Sequence, residues 1–269
     1  MRSVFIALLL LLPAAYADAQ LIGIVKDAKT GEALAYVNVG IPSKGVGTVT
    51  NEEGAFKLNI SNNDADSLRV SMIGYLPQYF LIGDLKKHTD VIKLLPNDIQ
   101  LKEVRITNHK YIEKVLGNTT KSKSVNAGFT SNDLGNEIGA IIKIKKSPTY
   151  LKRFNVAINE NTNQDSSILR LNIYSVKNGL PDKNILNQNI FVIVKKGQDQ
   201  IAFDLEPYHI MVDDNFFISL EWIKNSAGHG LKFSASLLGS GAIIAREASQ
   251  AKWEKFGIAG LGFNVLAEY

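Results

Sequence analysis

The chain contains no cysteine. That excludes disulfides, a thiol nucleophile and a zinc–thiolate centre, and also the lipidated cysteine that anchors a bacterial lipoprotein just after its signal. Histidine is scarce, and none of His88, His109, His209 or His229 is followed by Glu at the third position. A zinc peptidase site needs two imidazoles and a carboxylate that leave one position open for water, so that chemistry has no ligands here. There is no Gly-x-Ser-x-Gly elbow for a serine hydrolase. Gly239-Ser240-Gly241 lacks the lysine and helix start of a phosphate loop and reads as a hairpin turn. The only long apolar run, Val4 to Leu12, is too short to span a bilayer as a helix.

That run follows Arg2 and precedes Pro13 and the small-x-small segment Ala17-Asp18-Ala19, the pattern of a cleavable secretory signal over residues 1–19. Cleavage before Gln20 leaves 250 of the 269 residues, enough for two cores. It removes Arg2 and Asp18 together, so the net charge stays at +4. The basic excess is local, at Lys143, Lys145, Lys146, Lys152 and Arg153. These alternate with Ile142, Ile144 and Phe154, as the solvent face of strands does; the functional alternative is contact with an acidic polymer or a membrane surface. The basic residues are not interleaved with stacking aromatics, so nucleic acid is not expected as a partner.

From Leu21 to Leu95 the apolar residues come in short runs separated by turn formers, the signature of an antiparallel sandwich. Phe56, Leu58 and Ile60 alternate with Lys57 and Asn59, which places Phe56 in a core. Gly31 and Gly54 each interrupt an apolar alternation where a turn needs positive φ. In order, Gly23-Ile-Val-Lys-Asp-Ala-Lys-Thr-Gly-Glu-Ala-Leu, Gly47-Thr-Val-Thr-Asn-Glu-Glu-Gly-Ala-Phe-Lys-Leu and Leu68-Arg-Val-Ser-Met-Ile-Gly-Tyr resemble the carboxypeptidase-like regulatory domain. The resemblance implies a transthyretin-like Greek-key sandwich of the kind found in cell-envelope proteins of Bacteroidetes-type bacteria. In true carboxypeptidases this module is an appendage to the catalytic domain, and no such domain is present here.

Beyond Pro96, Asp98 to Thr107 resembles the exit strand that follows this module in envelope proteins, and His109 to Leu116 has room for one or two helical turns. Gly117 to Gly135 is rich in Asn, Thr, Ser, Lys and Gly and reads as a linker. After it, about eight strand patterns, among them Ser167 to Val176, Ile190 to Val194 and Phe216 to Ile223, suit a jelly-roll-like sandwich. Phe216, Ile218, Leu220 and Trp222 share one face, with bulk on the other face too, as in a central strand. Leu169 to Val176, Phe217 to Trp222 and Ser249 to Glu254 are similar to a C-terminal region that accompanies the module in proteins of unassigned function.

Candidate site residues follow from side-chain type. Trp253, Tyr174 and Tyr208 are aromatics suited to stacking on a sugar ring, while Trp222 continues the apolar stripe and belongs to the core. Asp213 and Asp214 are the first place to look for calcium, with a simple turn as the alternative. Glu206 and Glu221 are the carboxylate pair an enzyme acting on polysaccharide would use. The alternation of Leu261, Phe263, Val265, Ala267 and Tyr269 resembles the last strand of an outer-membrane barrel, but Arg170 and Glu221 do not fit a uniform lipid-facing band.

The expected protein is all-β and exported to the periplasm or the outer-membrane surface. It comprises a signal (1–19), a regulatory-like sandwich (20–96), a connecting segment (97–134) and a jelly-roll-like sandwich (135–269). The expected role is non-catalytic, with no cofactor unless calcium, and with a glycan or an envelope protein adding a strand to a sheet edge as partner. The competing classes are a polysaccharide-acting enzyme and a truncated relative of TonB-dependent outer-membrane proteins.

Overall fold

The computed structural model describes residues 20–269 apart from 62, 89–90, 98–110, 130, 132, 225–229, 238–240 and 258, and apart from the side chains of 86–88. The expected signal, the exit strand at 98–107 and most of the Gly239-Ser240-Gly241 turn lie outside the described residues. The chain is all-β, in two stacked pairs of sheets.

The first module contains β1 (Gln20–Asp27), β2 (Asn38–Ile41), β3 (Val46–Val49), β4 (Ala55–Asn59), β5 (Ser67–Ser71), β6 (Gln78–Leu81), helix α1 (Ile82–His88) and β7 (Val91–Leu94). A three-stranded sheet β4-β1-β7 faces a four-stranded sheet β3-β2-β5-β6. Every pairing is antiparallel except β1 with β7. Val25, Val39, Phe56, Leu68 and Ile92 close the core between them. Gly31 and Gly54 both have the expected positive φ, +77° and +73°, and a Cβ on Gly54 would come within 2.6 Å of the Val25 carbonyl.

The second module begins earlier than the sequence pattern implies. β8 (Glu113–Gly117) pairs with the last strand, β22 (Phe263–Glu268), and β9 (Asn126–Gly128) pairs with β18 (Leu231–Leu237). Residues expected to form helical turns and a linker are therefore sheet edge. The physical reason is anchoring by two side chains. Of the few apolar residues in this polar stretch, Leu116 and Phe129 are buried; Phe129 packs edge-on against Trp222 at 5.1 Å and Phe233 at 6.0 Å. Between them, Asn118 donates to Ser236 Oγ and the Gly260 carbonyl at 2.8 and 3.0 Å.

The remaining strands are β10 (Glu137–Ile142), β11 (Thr149–Asn161), β12 (Ser167–Lys177), β13 (Leu180–Asn184), β14 (Ile190–Val194), β15 (Gln200–Asp204), β16 (Met211–Val212), β17 (Phe216–Trp222), β19 (Ile243–Arg246), β20 (Glu254–Phe256) and β21 (Ala259–Leu261). One sheet runs β13-β12-β17-β10-β19-β20 with β14 also on β12, and the other runs β21-β18-β11-β22-β8 with β9, β15 and β16 attached. Their facing surfaces share one core that contains Ile138, Leu171, Ile218, Phe154, Phe233 and Val265. Trp222 is 1% exposed and β17 is central, as its two bulky faces imply. Strand β10 stops at Ile142, so Lys143, Lys145 and Lys146 sit in the following loop rather than on a strand face.

Candidate functional site: the cleft between the two modules

The outer face of the seven-stranded sheet faces away from that core, yet it is buried on the central strands. Side chains on one face of adjacent strands line up in rows. Register makes Arg170 on β12 the neighbour of Glu221 on β17, Glu221 the neighbour of Glu137 on β10, and Glu137 the neighbour of Arg246 on β19. Four charges in the order plus, minus, minus, plus thus cross four strands, with exposures of 2, 0, 0 and 8%. The next row on this face runs Asn172, Ser219, Gly139 and Ile244, and the third holds Tyr174, Phe217 and Ile141.

Two carboxylates side by side in a dry site repel, and the surrounding donors offset this. Asn172 Nδ2 donates to both Glu137 Oε1 and Glu221 Oε2, at 2.9 Å each. Ser219 Oγ and Tyr174 OH donate to Glu137 at 2.5 and 3.3 Å, and the Arg246 guanidinium lies 2.5 Å from Glu137 Oε2. Arg170 holds Glu221 Oε2 through Nε at 3.0 Å and NH2 at 2.7 Å. The four formal charges cancel. Burial pushes the Glu137 carboxyl above its ordinary range, against the pull of Arg246, and the Glu221 charge adds to the rise. Burial also holds the Tyr174 phenol well above its usual value, with Glu137 next in effect. For Arg246 burial acts downward, but Glu137 and the other acidic neighbours outweigh it and raise the guanidinium. Two atoms are left over: Glu221 Oε1 and Arg246 Nε are buried without a hydrogen-bond partner.

The first module covers this face. Arg170 NH1 donates to the Tyr36 carbonyl at 2.7 Å, and NH2 donates to Asn38 Oδ1. Tyr36 takes a left-handed φ of 61°, and its ring packs edge-on against Phe191 at 5.4 Å. The segment after β19 inserts between the modules. Added Cβ atoms on Gly40, Gly47 and Gly135 would lie 2.4, 1.9 and 2.4 Å from the Ser249 backbone, so only glycine permits this approach. Gln250 then bridges back: its Nε2 donates to Ser71 Oγ at 3.0 Å, its Oε1 accepts from Arg69 NH1, and its carbonyl accepts from Ser43 N at 3.0 Å.

Beside this contact the modules leave a cleft of about 620 Å³, walled by Asn38, Arg69 and Tyr75 on one side and by Lys183, Arg246 and Trp253 on the other. A second cavity of about 480 Å³ shares Arg246 and Ala251 with it but is walled by Ala127, Ile138, Ile243 and Phe256.

The structure brings two of the three candidate aromatics together. Trp253 packs edge-on against Tyr174 at 5.8 Å and Phe217 at 5.2 Å, and the Arg246 guanidinium lies over its ring at 4.6 Å. One Trp253 face is therefore taken, and the half-buried ring is a wall of the cleft rather than an open platform. Tyr208 lies elsewhere, in the 3-10 turn Glu206–Tyr208 after β15, stacked on Phe203 at 6.1 Å. Asp213 accepts from Ser147 Oγ at 3.2 Å, in the loop that joins β16 to β17. Among the described residues no group of three or more His, Asp or Glu is placed to hold a metal ion. Glu206 is exposed and ion-paired with Lys152 at 3.3 Å, whereas Glu221 is buried in the charge row; the two share no partner. A carboxylate closed off from solvent and engaged by several donors is a poor proton carrier, so the row is suited to hold a surface rigid rather than to transfer protons.

Sequence reasoning singled out Trp253 and Tyr174 but not Arg69, Glu137, Asn172 or Arg246. The signal available was polar residues alternating with large apolar ones on three strands, in Leu169-Arg-Leu-Asn-Ile-Tyr, Ile218-Ser-Leu-Glu-Trp and Glu137-Ile-Gly-Ala. That pattern ordinarily marks a solvent face.

Among the described residues no helix is long and apolar enough to cross a membrane. No curated protein matches the chain. Residues 21–106, which span the whole first module, match the family model of the CarboxypepD_reg-like domain, and the first module is such a domain.

Proposed function

We propose that this is an exported, non-catalytic protein of the cell envelope that binds a glycan in the cleft between its two modules. The observation that carries the reading is the cleft itself. Both modules build it, and its polar walls stand on a floor whose charges are already neutralised. Planar amide and guanidinium groups at Asn38, Arg69 and Arg246, beside the rings of Tyr75 and Trp253, are what a hydroxyl-rich ligand with apolar ring faces requires. Export rests on the N-terminal pattern of residues 1–19. The absence of peptidase and hydrolase motifs, and the separation of Glu206 from Glu221, support a binding role.

Glycan-array binding by the chain from Gln20 onward tests this, with Trp253→Ala and Tyr208→Ala as paired variants. Saturable binding lost in Trp253→Ala and retained in Tyr208→Ala is the expected outcome. Loss in Tyr208→Ala alone moves the site to the other sheet.

A second reading has its own observation. β14 pairs only with β12, so it is a sheet edge, and it exposes Phe191 and Ile193, the latter by 58%. An envelope protein adding a strand there is the alternative partner, and cross-linking in intact cells from position 193 would capture it.

A further inference from the structure

The cleft has a surplus of positive donors. Arg69 on β5 is half-buried, and its hydrogen bond goes to an amide oxygen, Gln250 Oε1; among the described residues no carboxylate pairs with it. Lys183 on β13, across the cleft, is exposed and likewise has no ion pair among the described residues. Arg246 is more than nine-tenths buried at the cleft wall, and its Nε–H has no acceptor. Against these, Glu137 and Glu221 are spent on Arg246 and Arg170 in the floor, which leaves Asp182 as the acidic residue on the cleft surface. A half-buried guanidinium with donors to spare is matched by a carboxylate, which it grips through two parallel N–H···O bonds.

We propose that the ligand of this cleft is an acidic saccharide, one whose sugar rings carry carboxylates, with Arg69 as the residue that selects the charge and Lys183 as a second contact from the other module. The inference rests on the cleft being the glycan site. A saccharide fits better than an acidic peptide because the surrounding groups include the amides of Asn38, Asn97, Asn184 and Gln250, which pair with hydroxyls as donors and acceptors at once. Two cations on opposite walls also fix orientation. A carboxylate on one ring reaches Arg69 from the first module, while the next ring along lies toward Lys183.

The test is calorimetric titration of the chain from Gln20 onward with tetramers of galacturonate, glucuronate and mannuronate, and with their methyl esters, which keep the rings and remove the charge. At least one acid tetramer is expected to bind, with its ester weaker by about tenfold or more, the value of a charge-assisted bond. Arg69→Gln should abolish most of that difference. Lys183→Ala, at an exposed position whose hydrogen bonds to Ser175 are made by its backbone and are kept in the variant, should weaken the acid a few-fold and leave the ester unchanged; raising salt should act in the same direction. Esters that bind as tightly as acids, or acid binding that neither variant moves, would overturn the acidic assignment and leave the cleft as a neutral-glycan site. Binding of a hexaglutamate peptide in preference to every sugar would replace the saccharide with a peptide. Failure of all sugars, charged and neutral, would refute both this inference and the glycan reading beneath it.

Discussion

On its central strands the seven-stranded sheet is buried on both faces, and along the row of Arg170, Glu221, Glu137 and Arg246 the two differ in chemistry. On the inner face Ile138, Leu171, Ile218, Leu220 and Trp222 pack against the other sheet. On the outer face the same strands carry Arg170, Glu221, Glu137 and Arg246, at 8% exposure or less. The inner face is dry because its residues are apolar. The outer face is dry along this row because another module and the Ser249–Gln250 segment lie on it, and its residues tolerate this because their charges neutralise one another and their polar atoms are hydrogen-bonded apart from Glu221 Oε1 and Arg246 Nε. Burial is thus decided by what lies above a residue, while polarity decides what the burial costs.

The sharpest way to break that comparison is to unbalance one face. Arg170→Met takes the close ion pair from Glu221, leaving it Asn172 at 2.9 Å and Arg246 at 3.9 Å, and strips the Tyr36 carbonyl and Asn38 of a donor. A buried pair broken on one side costs about 3–5 kcal/mol. The double variant Arg170→Met/Glu221→Leu removes the whole pair and is expected to recover most of that loss, because Glu137 keeps Arg246. Urea denaturation of the chain from Gln20 onward measures both. A single variant costing under about 1 kcal/mol would mean that solvent reaches the row and that the two modules separate readily.

This contrast also marks what was legible in the sequence. The stripe Phe216, Ile218, Leu220 and Trp222 announces an inner face by itself, since large apolar residues at period two have one explanation. Phe56 and the turns at Gly31 and Gly54 were readable for the same local reason. Arg170 and Glu221 were not, because a charge at alternate positions has two explanations, solvent or a partner, and the partner lies 51 residues away in the chain. The polar segment 117–135 misleads in the opposite sense. Its composition resembles a linker, and only the pairing of β8 with β22 and the burial of Phe129 show that it belongs to the sandwich. The cleft inherits both difficulties, since it is made by side chains from sequence positions as distant as Arg69 and Gln250.

A smaller effect is expected where the cover meets the sheet. The Gly47→Ala Cβ would lie 1.9 Å from the Ser249 carbonyl oxygen, and backbone is what it meets, so the inserted segment has to move. Overpacking of this kind costs about 1–3 kcal/mol. Because Gly47 lies in β3 of the first module, the loss should appear as faster proteolysis in the 247–253 segment of the second. An unchanged cleavage rate there would show that the cover does not depend on this close approach.

The mildest test sharpens the comparison through pH, because Asp27 in the first module and Glu137 in the second depart from their ordinary ranges in opposite directions. Asp27, at the end of β1, accepts from the backbone N–H groups of Thr30 and Lys29 and from Tyr75 OH at 2.8 Å. The Thr30 bond first, and then Tyr75, holds its carboxyl below the usual value of 3.8. In turn the Tyr75 phenol is pushed up to about 12, by burial and then by Asp27. A depressed carboxyl contributes stability that is fully present above 3.8 and is lost as pH falls through the lower folded value. Glu137 runs the other way. Between its ordinary 4.5 and its raised folded value the native state binds a proton that the unfolded chain has released, so stability falls as pH rises across that window. Asp27→Asn should therefore lie below the wild type at neutral pH and converge with it toward pH 2, whereas Glu137→Gln should flatten the decline above 4.5. Melting temperatures taken at intervals across the acid range separate the two. If the Asp27→Asn deficit stays constant down to the lowest pH, the turn at Asp27 depends on hydrogen-bond geometry rather than on charge, and Asp27 has no acid-range role to set against that of Glu137.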